Sequence, residues 1–250
     1  MPTINPITHI FIVRYKWFTV PFAFIAMAMF HLFLRFNKNI HFYKLMGCGR
    51  NGTFDKTPDF MQWCILATTT PNFFEANKTL PLNKFIKKTL GGFISSWFSI
   101  FCNEKFTLSL QTLATHGTWD GQTPFGASIK QHNYTGPIGV MTRATIRLNR
   151  FSHFWKHVDG VAKTLSTSPG FVTSVGVGEI PWIKQATFSI WETEEQMKAF
   201  AYKRKEHAEV VTKTKKENWY SEDLFARFVP LKTTGSIKGQ NKIADIINAN

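Results

Sequence analysis

Two periodicities divide the chain. Short runs in which every second residue is apolar mark half-buried strands, and longer runs with an apolar residue every third or fourth position mark helices. "VMTRATIR" (Val140–Arg147) alternates and is rich in β-forming residues, and "FVTSVGVGE", "QATFSIW" and "DLFARFVPL" read as three further strands. Between them, "SHFWKHVDGVAKTL" carries Phe154, Val158 and Leu165 at helical spacing, and Ser168-Pro169-Gly170 ends it. Thr193 and Gln196 stand at capping-box spacing, so a helix is predicted from there to about Glu217. Thr70-Pro71 is the matching start signal earlier in the chain.

The pattern recurs within the sequence itself. "FYKLMGCG" from Phe42 aligns with "FVTSVGVG" from Phe171, and "PDFMQWCILAT" from Pro58 with "PWIKQATFSIW" from Pro181. "WFS" at Trp97 matches "WYS" at Trp219, and "LATHGTWDGQ" (Leu113–Gln122) matches "LKTTGSIKGQ" (Leu231–Gln240). "IVRYKWF" from Ile12 pairs more loosely with "TIRLNRF" from Thr145. Matches kept in one order point to two related halves, residues 8–125 and 138–240, each reading strand, helix, two strands, helix, strand. The fold expected is α+β: two tandem ferredoxin-like (β-α-β-β-α-β) repeats packed sheet to sheet as an α+β barrel, one compact unit. Helices can cover only one face of each four-stranded sheet, so the faces turned to one another would enclose an interior, and a ligand is expected there.

On the strand from Val140, the side bearing Val140, Thr142, Ala144 and Ile146 is expected to meet helices, and so is the Ala186, Phe188, Ile190 side of its neighbour. That leaves Arg143, Arg147, Gln185 and Arg227 for the other face or the rim. Strand-end arginines reaching solvent are one reading; an enclosed site for an anionic ligand, gripped by guanidinium groups, is the other. On the helix after Thr193 the stripe Met197, Phe200, Arg204, His207, Val211 places His207 among apolar neighbours. From the residues alone His207 is either a hydrogen-bonded core histidine or a metal ligand, for instance to a haem iron. His153 and His157 have chelating spacing but no third ligand beside them.

Composition changes the picture in one respect. A formal charge of +14 draws the protein to something anionic, and no helix-turn-helix, RNP motif or zinc spacing accompanies it, so nucleic acid is not expected. The 25 phenylalanines fit aromatic cores or a pocket for a flat, greasy ligand, and three cysteines without a CxxC pair fit a reducing compartment. Trp17 to Leu34 carries no formal charge and reaches the length of a membrane span, flanked by Lys16 and Arg35. Pro21, His31 and the repeat argue instead for a strand end and an amphipathic helix. The expectation is a cytoplasmic protein with peripheral contact to the membrane surface, and a homo-oligomer is compatible with such a barrel. No Walker loop, GxGxxG or GxSxG elbow is present.

Through "TRATIR" (Thr142–Arg147), "GVGE", "KQATFSIW" (Lys184–Trp191) and "EHAEVVTKTKKENWYSEDLFARFVPL" (Glu206–Leu231), the chain resembles the spheroidene monooxygenase family of carotenoid biosynthesis. "HFYKLMGCGRNGTF" (His41–Phe54) is similar to that family's segment at this place, and the resemblance runs from about Ile12 to Gln240. It implies an oxygen-dependent enzyme with haem b that places hydroxy or keto groups on a carotenoid or related hydrophobic small molecule, using an external electron donor such as ferredoxin. It also implies likeness to haem-binding dimeric α+β barrel proteins such as chlorite dismutases, whose proximal histidine lies on a helix of the C-terminal half. His207 is the matching residue for the iron. Phe200, Val211 and Phe188 would then form a dry slot, Arg143, Arg147 and Arg227 would receive the propionates, and Gln185 would be a further cofactor-binding residue. The alternatives are a haem enzyme of other chemistry on the same fold, dehydratase or peroxidase-like, and a non-catalytic protein that binds haem or a hydrophobic ligand.

Overall fold

The computed structural model describes residues 5–50, 57–129, 133–156, 165–203, 214 and 217–248. The first half runs β1 (Ile7–Tyr15), α1 (Val20–Arg35), β2 (Phe42–Gly49), β3 (Pro58–Thr69), α2 (Pro71–Asn77), α3 (Leu82–Leu90), α4 (Gly92–Phe101) and β4 (Cys102–Gly117). The second runs β5 (Ile138–Ile146), a helical turn at 151–156, β6 (Phe171–Ile180), β7 (Lys184–Trp191), α5 (Glu194–Lys198) and β8 (Tyr220–Gly235), before a final α6 (Lys242–Asn248). The α+β class holds. All eight strands are antiparallel to their neighbours and close into one barrel in the order β1-β3-β2-β6-β7-β5-β8-β4.

The expected face-to-face packing of two sheets is corrected by this closure. The sheets join edge to edge, β4 with β8 and β2 with β6, because unpaired strand edges are satisfied only by hydrogen bonds in the plane of the sheet. The two seams differ. β4 and β8 pair from Phe106–Gly235 to Gly117–Leu224, whereas β2 and β6 meet only at Gly47–Gly178 and Cys48–Val177. Each seam has a centre at which a residue faces its own counterpart in the internal alignment: Cys48 faces Val177, and Gln111 faces Val229. The match of Trp97 with Trp219 does not survive, since Trp97 lies within α4 and Trp219 just before β8. Nor does the match of Gln62 with Gln185. Gln62 lies beside Ile10 and Ile12 at the barrel mouth, and Gln185 stands on the outer face.

The hollow interior expected from sequence is filled. Ile10, Leu66, Leu108, Leu110, Met141, Phe188, Ile190, Ala226 and Phe228 interdigitate inside the barrel, and all are buried. Ala186, Phe188 and Ile190 therefore point inward, opposite to the expectation, because the barrel interior is the driest place available to them. Val140 and Ile146 face the helix side as expected.

Each barrel mouth is shut by the same device. After β4, Trp119 bridges to Gln122; after β8, Ile237 bridges to Gln240, and both turns insert their apolar residue against the core. Gly117 and Gly235 start these turns at φ 82° and 83°, and Thr118 and Ser236 donate their amides to the carbonyls of Asp223 and Lys105. A Cβ at Gly235 would overlap the Lys105 carbonyl, whereas Gly239, at φ 70°, has open space around it. Gly235→Ala is therefore expected to cost about 3 kcal/mol, against roughly 1 kcal/mol for Gly239→Ala, read as the difference in urea midpoints.

Candidate functional site

The outer face of the first half is solid. His9 and Phe11 of β1 lie under Phe74, Phe85 and Phe98, all buried. His9 is a satisfied core histidine: its ring nitrogens meet the hydroxyls of Ser109 and Thr69, each at 2.9 Å, and burial pushes its pKa down to about 3. A neutral ring with both nitrogens engaged has no lone pair free for a metal.

The outer face of the second half is built differently. Register places Gly176, Thr187, Thr142 and Phe225 in one row across β6, β7, β5 and β8, and Ser174, Ser189, Val140 and Arg227 in the next. Phe225 and Arg227 apart, the side chains of this floor are small, and Thr142 is exposed in the middle of its strand. Trp191 and Phe200, with ring centroids 5.2 Å apart, form one wall. Arg227 is ion-paired with Glu194 of α5, whose start is capped by the Thr193 hydroxyl accepting from the Gln196 amide at 3.3 Å. Arg227 Nε and Thr187 Oγ1 are buried on this face without a hydrogen-bond partner among the described residues. Such a floor suits a flat, mostly apolar ligand with an anionic edge.

The residues singled out from sequence divide between two places. Phe200 and Arg227 stand together on the outer face, and Arg147 is exposed at the end of β5, its Nε donating to the Tyr220 carbonyl at 3.1 Å. Phe188 is inside the barrel beside Phe228, so it cannot share a slot with Phe200; the strand lies between them. Gln185 faces outward but donates to the Ile180 carbonyl at 3.1 Å, at the edge of the β2–β6 seam. His207 and Val211 lie outside the described residues, as do Val158 and His157. Among the described residues no group of three or more His, Cys, Asp or Glu is placed to hold a metal. The reading missed Thr142, Thr187 and Gly176, whose only sequence signal is their small size on the face opposite the barrel core.

Arg143 points into the barrel end, not into the outer site. Its guanidinium pairs with Glu222, reaches Asp120 at 3.4 Å and lies 5.5 Å from the centre of the Trp119 ring. Lys44 and Lys184 also bind Asp120, and the Trp119 indole donates to Glu179 at 2.7 Å. Partial burial would raise the Asp120 carboxyl, but hydrogen bonds and charge from Lys184 and Lys44 bring it down to about 2. Glu222 also falls to about 2, where the Gly121 amide, Thr118 and Arg143 outweigh the effect of burial. This cluster plugs the barrel end, with Asp120 at its exposed rim. The charge that sequence assigned to a ligand is spent on carboxylates of the same chain.

A cleft of about 390 Å³ opens where the β2–β6 pairing stops, lined by Phe24, Met27, Phe60, Trp63 and Trp182 above Gly47 and Gly176. Gly176 belongs both to this cleft and to the small-residue floor, through its pairing with Thr187. The cleft and the floor therefore meet at Gly176.

Fold and site together define a closed antiparallel α+β barrel with a row of small residues on the outer face of its second half. A solved aldoxime dehydratase has the same fold, with a TM-score of 0.57 at 7% identity over 92% of this chain and 83% of that one. No protein-family model matches the chain. It is 30% identical over 209 residues to spheroidene monooxygenase of Cereibacter sphaeroides, covering 83% of this chain and 61% of that relative's length. It is 29% identical over 229 residues to spheroidene monooxygenase of Rhodobacter capsulatus, covering 90% of each. By these likenesses the chain is similar to spheroidene monooxygenases, which are oxidoreductases.

Both plug carboxylates bind protons less tightly folded than unfolded, so their contribution is full above their ordinary pKa values and fades as pH falls toward about 2. Thermal unfolding of the wild type should fall steeply between about pH 4.5 and 2. Glu222→Gln should melt lower at pH 6 and show a shallower acid limb in the same scan.

Proposed function

We propose that this protein is a monooxygenase that introduces hydroxy or keto groups into a carotenoid or related hydrophobic substrate, with haem b held against the outer face of its second half. The observation that carries the reading is the similarity to the Rhodobacter relative over 90% of both chains. The small-residue floor supports the cofactor's place, since a porphyrin needs a wide, flat and mostly dry surface, which the bulky first-half face cannot offer. The shared strand orders β4-β1-β3-β2 and β8-β5-β7-β6, with matched turns at both mouths, support reading the halves as tandem ferredoxin-like repeats.

His207 is the residue proposed to hold the iron, and Arg227, on the floor's edge, to receive a propionate. Bound haem would supply activation of dioxygen, with electrons from an external donor such as a ferredoxin. In the overall balance one oxygen atom enters a C–H bond, and the other leaves as water with two electrons and two protons. A second insertion at the same carbon gives a hydrate that loses water to the ketone. The chain's own part is positional: Thr142 and Thr187 leave room above the sheet, Trp191 and Phe200 exclude water from one side, and the seam cleft aligns an extended hydrocarbon with the floor.

Purified protein should show a Soret band that His207→Ala abolishes, with a melting curve close to wild type; a colourless wild type that refuses haem would sink the cofactor. Thr142→Trp fills the floor from an exposed position. It should fold with a stability change of about 1 kcal/mol or less, yet lose haem uptake and oxygen-dependent conversion of an acyclic carotenoid.

A further inference from the structure

α1 is apolar on nearly every side, yet it buries only one stripe, Ala23, Ala26, Phe30 and Leu34. Its outer crest is bare: Trp17 just before it is 75% exposed, Phe36 just after it 73%, and Ile25 and Leu32 stand between. Helix α4 extends the surface sideways. Phe33 stacks on Phe93 at 4.1 Å and Phe22 on Phe101 at 4.5 Å, which joins the two helices into one continuous aromatic face. An apolar patch of this extent on a folded protein marks a surface that something covers.

The charge around the face says what covers it. The first 54 residues contain no Asp or Glu, and neither does the stretch from Ala76 to Asn103, whereas Arg35, Lys38, Lys84, Lys87 and Lys88 are all exposed. Lys38 and Lys88 flank a recess formed with Phe33, Phe36 and Phe93. We infer that the α1–α4 face is a docking surface for an anionic lipid bilayer, with the aromatic crest at headgroup depth and the lysines against lipid phosphates. Two copies meeting through this face would set cation against cation with no carboxylate on the helices' outer side to offset them. An anionic bilayer supplies the missing charge.

Length would allow α1 to cross the membrane, and Trp17–Arg35 passes that test on composition. Packing argues for lying flat, because Ala23, Ala26, Phe30 and Leu34 form part of the first-half core with Phe11 and Phe98. The seam cleft has its mouth on the same side. Phe24 of α1 and its neighbour Phe60, both half-exposed, belong to the face and to the cleft wall, where Trp182 also stands, and Phe24 lies 5.7 Å from Phe60 and 5.2 Å from Trp63 between ring centres. A hydrocarbon chain could thus pass from the bilayer into the cleft without crossing water. The docking itself does not depend on what chemistry follows.

The test is sedimentation of the full chain with phosphatidylcholine vesicles, with and without phosphatidylglycerol, alongside tryptophan fluorescence and analytical ultracentrifugation. The wild type should bind the anionic vesicles, shift its emission to the blue and be released by alkaline carbonate. Ile25→Glu with Leu32→Glu should lower that binding at least about tenfold without changing the mass in solution or the circular dichroism melt. Lys38→Glu with Lys88→Glu should lower binding to anionic vesicles about tenfold or more, and leave the weak binding to pure phosphatidylcholine as it was. Failure of the wild type to bind either vesicle overturns the inference. So does a dimer that the Ile25/Leu32 variant splits, which would make the face an interface between copies, or a wild type that resists carbonate, which would make α1 a spanning helix.

Discussion

Four strands in a sheet leave two edges with unpaired amides and carbonyls, and joining those edges is the constraint on which this protein depends. One seam meets it fully, through the sixteen-residue strands β4 and β8. The other meets it with two residue pairs, and there Gly47, Gly49, Gly176 and Gly178 remove the side chains that would otherwise fill the gap. An edge closed so briefly cannot be closed tightly. The cleft is the direct consequence, and because β6 continues from it into the second-half sheet, the weak seam and the small-residue floor are parts of one feature. Stability resides at the β4–β8 seam, and access at the β2–β6 seam.

The two halves share a plan and put it to opposite uses. Corresponding helix-side faces carry His9 and Phe11 in one half and Thr142 and Ala144 in the other. The bulky pair allows Phe74, Phe85 and Phe98 to pack down and close the first face, whereas on the second Thr142 stays exposed beside the buried Ala144. The solid half fills its outer sheet face with its own side chains, and its apolar excess appears outside, on α1 and α4. The open half keeps its aromatic residues at the wall, as Trp191 and Phe200. The difference between a buttress and a binding face is a matter of two or three side-chain volumes on a common backbone.

Much of this was legible in the sequence, and the failures share a cause. The strands' order along the chain, the helix caps at Thr70 and Thr193, and the match of "GTWDGQ" with "GSIKGQ" are local signals, and each is found in the structure. Which face of a strand looks inward is not local. β7 has an apolar side and a polar side, and the ordinary rule sends the apolar side to the helices; here the barrel interior is drier, so Phe188 turned inward and Thr187 outward. Arg143 misled for a related reason. An arginine among apolar strand residues reads as a ligand group, but its partners Glu222, Asp120 and Glu179 come from three distant segments that only barrel closure assembles. The floor was illegible because small residues announce nothing by themselves.

The distribution of charge completes the argument. Carboxylates are few, 16 against 30 lysines and arginines, and several are gathered at the barrel mouths: Asp120, Glu179 and Glu222 with Arg143 at one, Asp59 and Glu104 with Arg14 at the other. These groups neutralise one another within the fold and project little field outward. The excess positive charge is therefore left over on surfaces without acids, and the first-half helices are such a surface. A protein whose carboxylates are used to seal its ends is left with a polarised exterior, and at physiological ionic strength such a field acts only over about 8 Å. It cannot draw a partner from afar; what it can do is hold a flat, anionic, apolar-cored surface once the aromatic crest has touched it. Short-range attraction and apolar burial then act on the same patch, beside the seam at which the cleft opens.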